Sequence, residues 1–126
     1  MKLRIKGNSL RLRVSKSDLA TLLSSGRIEE RIQFAAAPEA SLVYALESTE
    51  STEEIQVFYQ PQRVTVMLSS TAAQHWAATN EVGIYGSASV GEQSLELIVE
   101  KDFACLDGVD PLDADAFPNP NAESAC

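Results

Sequence analysis

The sequence predicts an α+β fold, mostly antiparallel, arranged as a β-barrel or sandwich with two short helices and built from two similar ββαββ units. Three observations lead there. Apolar residues recur at period two in Leu3/Ile5, Leu10/Leu12/Val14, Leu42/Tyr44/Leu46, Ile55/Val57/Tyr59, Val64/Val66/Leu68 and Leu95/Leu97/Val99, as half-buried strands require. Two short stretches with helical character interrupt that alternation, each behind serines able to cap a helix. The second strand-helix-strand passage also lies over the first without a gap, which points to an internal repeat. The total comes to about eight to nine strands.

Residues 2–34 organise the rest. Leu3 and Ile5 alternate with Lys2, Arg4 and Lys6, and Leu10, Leu12 and Val14 alternate with Arg11 and Arg13. Each strand therefore turns an apolar face inward and a basic face outward. Gly7-Asn8-Ser9 between them tolerates positive φ and local side-chain bonding, so a hairpin follows. Ser15 or Ser17 caps a helix through Leu19, Leu22 and Leu23, with Asp18 near its positive end. Gly26 is placed to end that helix in the left-handed conformation, and Arg27 to Phe34 resumes alternation through Ile28, Ile32 and Phe34.

A small-residue loop with Pro38 precedes the strand around Leu42, Tyr44 and Leu46. The polar, acidic run Glu47 to Glu54 then joins the halves. Beyond it come two strands divided by Pro61, and a helix from Ala72 to Thr79 capped by Ser69 or Ser70 and stopped near Asn80. Val82 and Ile84 open the next strand, and a Gly/Ser loop around Gly86 to Gly91 leads to the last. Superposed, Leu10, Leu12 and Val14 fall on Val64, Val66 and Leu68. Leu22 falls on Trp76, Gly26 on Asn80 and Ile28 on Val82. The chain divides into a globular domain, 1–103, with repeats 2–47 and 54–103 and a linker 48–53, and an acidic tail, 104–126, expected to be extended or disordered.

The segment Ile5-Lys6-Gly7-Asn8-Ser9-Leu10-Arg11-Leu12-Arg13-Val14-Ser15-Lys16 resembles the Gly-Asn-Ser hairpin of the AbrB/MazE-type swapped-hairpin family, which includes DNA-binding antitoxins. Gly7, Asn8, Ser9, Arg13 and Lys16 match that pattern, while Ser15 stands where proline is usual. The resemblance covers the first quarter of the chain and implies a DNA-binding regulator, with Asn8, Arg11 and Arg13 near phosphates or bases. The opening of the chain and Val99-Glu100-Lys101-Asp102-Phe103-Ala104-Cys105 also resemble a small bacterial family with no assigned function, which implies no activity.

The net charge of −8 conceals a segregation: residues 1–16 carry +6, residues 17–103 carry −9 and residues 104–126 carry −5. The whole chain repels nucleic acid and anionic membranes at long range, while its first hairpin attracts them. No apolar run approaches the roughly 20 residues of a membrane span, and no secretory signal opens the chain, so a cytoplasmic location without membrane association is expected. Cys105 and Cys126 both fall in the tail and make no disulfide framework.

The candidate binding surface is Lys2, Arg4, Lys6, Asn8, Arg11, Arg13 and Lys16. Such a face meets phosphates through counterion release, meets an acidic protein partner, or serves only solubility and protection of a strand edge. Glu29 and Glu30 are acids it could meet across strands. No aromatic interleaves with these positions in sequence, which disfavours single-strand stacking. The second hairpin presents Gln60, Thr65 and Met67 where the first has Lys6, Arg11 and Arg13, so a two-fold DNA reader needs two chains and a homodimer stays open. His75, beside Trp76, has no neighbouring group to complete a triad or a metal site and reads as structural. Asp107, Asp110, Asp113 and Asp115 lack a calcium loop's glycine and glutamate. No catalytic residue, metal or cofactor is expected. The reading is a non-enzymatic binding module using its basic hairpin, with a DNA-binding regulator as alternative and a metal or enzyme role for Cys105 and the tail aspartates as a further one. The tail's charge also suggests that it lies over the basic hairpin and masks it.

Overall fold

A computed structural model describes residues 1–103, 115 and 117. Its order is β1 (Lys2–Lys6), β2 (Ser9–Val14), α1 (Lys16–Ser25), β3 (Arg27–Gln33), β4 (Ser41–Thr49), β5 (Ile55–Gln60), β6 (Arg63–Ser69), α2 (Ser70–Ala78), β7 (Gly83–Val90) and β8 (Gln93–Lys101). Each half is thus a ββαββ unit. The strands form two four-stranded sheets ordered β1-β2-β8-β7 and β3-β4-β6-β5, mostly antiparallel and not closed into a barrel.

The halves exchange hairpins. β1 and β2 pair antiparallel, as do β7 and β8, and the two hairpins join through a parallel β2–β8 contact. The other sheet repeats the plan, joining the β3–β4 and β5–β6 hairpins through a parallel β4–β6 contact. The equivalence extends to single hydrogen bonds. The Glu96 N–H donates to Asn8 O at 3.0 Å, and at the matching point the Val43 N–H donates to Gln62 O at 2.8 Å.

Local chemistry explains the elements. Gly7 opens the first turn at φ 56°, the positive value that a tight hairpin with glycine in first place needs. The second hairpin turns at Pro61–Gln62, where Gln62 itself takes φ 70°. Ser15 caps α1 in a capping box: the Asp18 N–H donates to Ser15 Oγ at 3.2 Å, and the Ser15 N–H donates to Asp18 Oδ2 at 3.1 Å. Ser69 caps α2 by accepting from the Ala72 N–H at 3.1 Å.

The helices end differently, and this corrects the gapless overlay. Gly26, at φ 81°, closes α1 and returns the chain at once to β3. α2 has no glycine at its end. It stops at Ala78 with Thr79 extended, not at Asn80, and the chain runs on through Val82 before β7 begins. Val14 pairs with Lys101 and its counterpart Leu68 with Ser48, so Glu100 corresponds to Glu47. Their partners across the hairpins are Gly83 and Arg27, which makes Ile84, not Val82, the counterpart of Ile28. The Lys101 ammonium does the work of the missing cap, donating to Thr79 O at 2.8 Å. Lys101 is buried, and desolvation lowers its pKa against the opposing pull of Glu81.

One apolar cluster spans both halves: Leu12 and Val14 of β2, Leu19 and Leu22 of α1, Leu46 of β4, Val66 and Leu68 of β6, Trp76 of α2 and Leu97 and Val99 of β8. Leu22 and its counterpart Trp76 are both fully buried, and the indole N–H of Trp76 donates to Val82 O at 3.1 Å. Several residues expected to face inward lie beyond the core. Ile5, Ile32, Phe34 and Tyr59 are exposed because the ends of their hairpins project past the packed centre. The linker is also shorter than expected: β4 runs through Thr49, so its residues at 48 and 49 belong to the sheet and the irregular segment is 50–54.

The two places where the sheets meet are not alike. β5 packs against β7, with Ile55 beneath Gly86, where an added Cβ would lie 2.3 Å from Ile55 Cγ2. At the matching seam, Met1 and Glu30 occupy the places of Ile55 and Gly86, and β1 does not pack on β3 in this way. The Met1 ammonium instead lies 2.8 Å from Asp18 Oδ2 and 3.3 Å from Glu30 Oε1. Gly86→Ala is expected to cost about 1–3 kcal/mol in urea unfolding, because the added methyl would overlap Cγ2 of the buried, β-branched Ile55 and force one of them to shift. Ile55→Ala in the same chain should return part of that loss as a favourable coupling. A Gly86→Ala midpoint equal to wild type would show that the seam is not tight.

Candidate functional site

The outer face of the first sheet gathers most of the predicted basic residues. Pairing sets Lys2 beside Arg13 and Glu100, Arg4 beside Arg11 and Ile98, and Lys6 beside Ser9 and Glu96. Five cations thus occupy two neighbouring strands, with columns about 4.8 Å apart and alternate residues about 6.8 Å apart along each strand. Arg4, Lys6, Ser9, Arg11 and Ile98 line a shallow hollow of about 280 Å³.

Acids of β8, and Asp102 just after it, border this strip. Lys2 Nζ lies 2.8 Å from Asp102 Oδ2. Arg11 Nε lies 3.1 Å from Glu100 Oε1, yet its N–H is not aimed there, so the contact is one of charge without a directed hydrogen bond. The Tyr85 hydroxyl donates to the other oxygen of Glu100 at 3.0 Å. Burial raises the Tyr85 pKa, and the Glu100 carboxylate raises it further. Arg4, Lys6 and Arg13 have no ion-pair partner among the described residues.

Two predicted members lie elsewhere. Asn8 sits in the hairpin turn and donates from Nδ2 to Ser94 O at 2.7 Å, tying the turn to β8. Lys16 begins α1, off the sheet face. Glu29 and Glu30 belong to the other sheet and do not meet the basic hairpin across strands. The residues that sequence reading missed are Tyr85, Glu96, Ile98, Glu100 and Asp102. They reach the basic strip only through the parallel pairing of β8 with β2, which no local pattern in either strand encodes.

The matching face of the second sheet is closer to balance, with Arg27, Arg31 and Arg63 set among Glu29 and Glu47. Gln56, Phe58, Gln60, Thr65 and Met67 stand where the first has Lys2, Arg4, Lys6, Arg11 and Arg13. Arg27 donates to Glu47 at 3.0 Å and to Glu29 at 2.8 Å, and Arg63 reaches Glu29 at 3.4 Å. Hydrogen bonding from Arg27 holds the Glu29 carboxyl below its usual range, assisted by Arg63.

At the β2–α1 corner, Met1, Lys2, Arg13, Ser15, Ser17, Asp18, Asp102 and Asp115 line a second hollow of about 300 Å³. Asp115 accepts from the Ser17 N–H at 3.1 Å and from the Ser17 hydroxyl. Phe117 meets Phe103 edge-on at 6.2 Å, with Lys101 Nζ 5.2 Å from its ring centre. The tail positions Cys105, Asp107, Asp110, Asp113 and Cys126 lie outside the described residues, as does the expectation of an extended or disordered tail masking the hairpin. His75 is exposed, with Nε2 3.1 Å from Glu81 Oε1. No cluster of His, Cys, Asp and Glu suited to a metal, and no helix long and apolar enough to cross a membrane, occurs among the described residues.

The sequence itself matches the model of a family of unknown function, DUF7009, over residues 1–121. The chain belongs to that family. This agrees with the resemblance to a family without assigned function, whereas the resemblance of the hairpin to the AbrB/MazE-type family is not confirmed. Neither the curated proteins nor the solved structures compared with this DUF7009 chain contain a match.

Two pH-dependent outcomes follow. Burial alone would raise Asp18, but the Met1 ammonium and the Ser15 N–H outweigh it and lower its pKa. A depressed carboxylate pKa contributes stability above about pH 4 and loses it as pH falls through the folded value. Asp18→Asn should therefore cost about 1 kcal/mol at neutral pH through the lost cap, with the gap to wild type closing below about pH 4. A gap of constant size down to acid pH would remove Asp18 from this role. Separately, ultraviolet titration of Glu100→Gln should show the Tyr85 phenol ionising at lower pH than in wild type. An unchanged titration would dissolve the Tyr85–Glu100 pair.

Proposed function

We propose that this protein is a binding module, rather than an enzyme, and that the outer face of its first sheet receives an acidic protein partner. The observation that carries this reading is the surplus of charge: Arg4, Lys6 and Arg13 stand unpaired among the described residues beside Arg11, while on the matching face of the other sheet Arg27 and Arg63 are paired with Glu29 and Glu47 and Arg31 alone lacks an acid partner among the described residues. The shape of the strip favours one narrow partner. It is two strands wide and walled by Glu96 and Glu100, which repel a broad polyanion such as duplex DNA and leave room for a single chain. The binding set is Lys2, Arg4, Lys6, Arg11 and Arg13, with Asn8 holding the turn and Lys16 adding to the local positive field.

Fluorescence anisotropy with a labelled glutamate-rich peptide and a labelled DNA duplex, across a salt series, tests the reading. Peptide binding should weaken with salt, and Arg4→Ala/Arg13→Ala should reduce it several-fold, since each exposed ion pair contributes about 0.2–1 kcal/mol. Glu100→Gln should tighten it by removing a repelling charge. Absence of peptide binding at low salt refutes the proposal, and tighter binding of the duplex transfers the face to a DNA-binding regulator.

A further inference from the structure

The basic strip ends at a strand edge that no described residue covers. β1 is the outermost strand of its sheet. Its two-residue turn makes Lys6 and Ser9 a hydrogen-bonded pair, and the antiparallel ladder alternates from there. The N–H and C=O groups of Leu3 and Ile5 consequently point away from β2, and none of them has a partner among the described residues. Ile5 is 62% exposed on the inner face of this edge, while Lys2, Arg4 and Lys6 project from the outer face. The corresponding strand β5 is packed against β7 at Ile55, and its outer row of Gln56, Phe58 and Gln60 carries no charge.

We infer that the free edge of β1 accepts an additional strand from an acidic peptide in which carboxylates alternate with apolar residues. The inference rests on the basic-face reading above and specifies the form of its partner. Side chains of an added strand alternate between faces, so one set stands beside Lys2, Arg4 and Lys6 and the other beside Leu3 and Ile5. Acidic residues suit the first set and apolar residues the second. A second copy of β1 is a poor occupant, because pairing two such strands sets like charges opposite one another. Duplex DNA offers no peptide groups to the exposed Leu3 and Ile5 amides. Strand addition of this kind draws affinity from main-chain bonds and specificity from alternate side chains.

The test uses the full chain and three labelled peptides of equal composition: alternating Glu and Val, a block of Glu followed by a block of Val, and the alternating peptide with its backbone N-methylated. The alternating peptide should bind about tenfold or more tightly than either comparator, as expected for loss of even a few backbone bonds. Hydrogen exchange at the Leu3 and Ile5 amides should slow when it is added. Ile5→Ser should weaken the alternating peptide and leave the block peptide unchanged. Equal binding of all three peptides, with unchanged exchange at Leu3 and Ile5, overturns strand addition and leaves the basic-face reading standing. No binding of any peptide at low salt removes both.

Discussion

Neither sheet of this protein can be completed by one half of the chain. The parallel contacts of β2 with β8 and of β4 with β6 sit at the centre of the two sheets, and each joins a hairpin of one half to a hairpin of the other. A lone hairpin is marginal in water, so each of the four depends on that exchange for its inner face to be buried. The helices follow from the same constraint. α1 and α2 carry Leu22 and Trp76 into the single core that the exchanged strands enclose. The N-terminal hairpin thus owes its position to β8, far along the chain, where Ser9 pairs with Glu96 and Val14 with Lys101.

The repeated plan makes its departures informative. At one seam Ile55 closes on Gly86, and at the other the Met1 ammonium and Glu30 stand in their places. One helix ends on a left-handed glycine. The other ends on an extended threonine whose carbonyl is met by buried Lys101, and it takes extra residues to return to the sheet. A similar contrast separates the outer faces. The conserved geometry of Glu47 and Glu100 places a carboxylate at the same point on both, but Arg27 neutralises the first, while the second lies beside more cations than it can balance.

That imbalance is what gives the first sheet its chemistry. In a chain of net charge −8, the strip of five cations on β1 and β2 stands out because neither strand carries an acid, the nearest ones being Glu96 and Glu100 on the adjoining strand and Asp102 just after it. The acids of β8 also shape what the strip can accept, since they confine positive potential to the outer two strands. The free edge of β1 adds directionality to that potential, with unpaired backbone groups at Leu3 and Ile5 flanked by cations on one face.

Much of the fold was legible in the chain alone. Period-two alternation, serine caps and Gly26 are local signals, and they led to the strands, both helices and the ββαββ repeat with little error. The same alternation put Lys2, Arg4, Lys6, Arg11 and Arg13 on one face, because two strands joined by Gly7-Asn8 have no other register that buries Leu10, Leu12 and Val14. What the sequence could not determine is which hairpins share a sheet. Parallel pairing between distant strands leaves no local trace, so the roles of Glu100, Asp102 and Tyr85 beside the basic strip, the structural use of Asn8 and the exposure of Ile5 emerged only from the tertiary structure. Local patterns decide which face of a strand is apolar; long-range pairing alone decides what lies next to it.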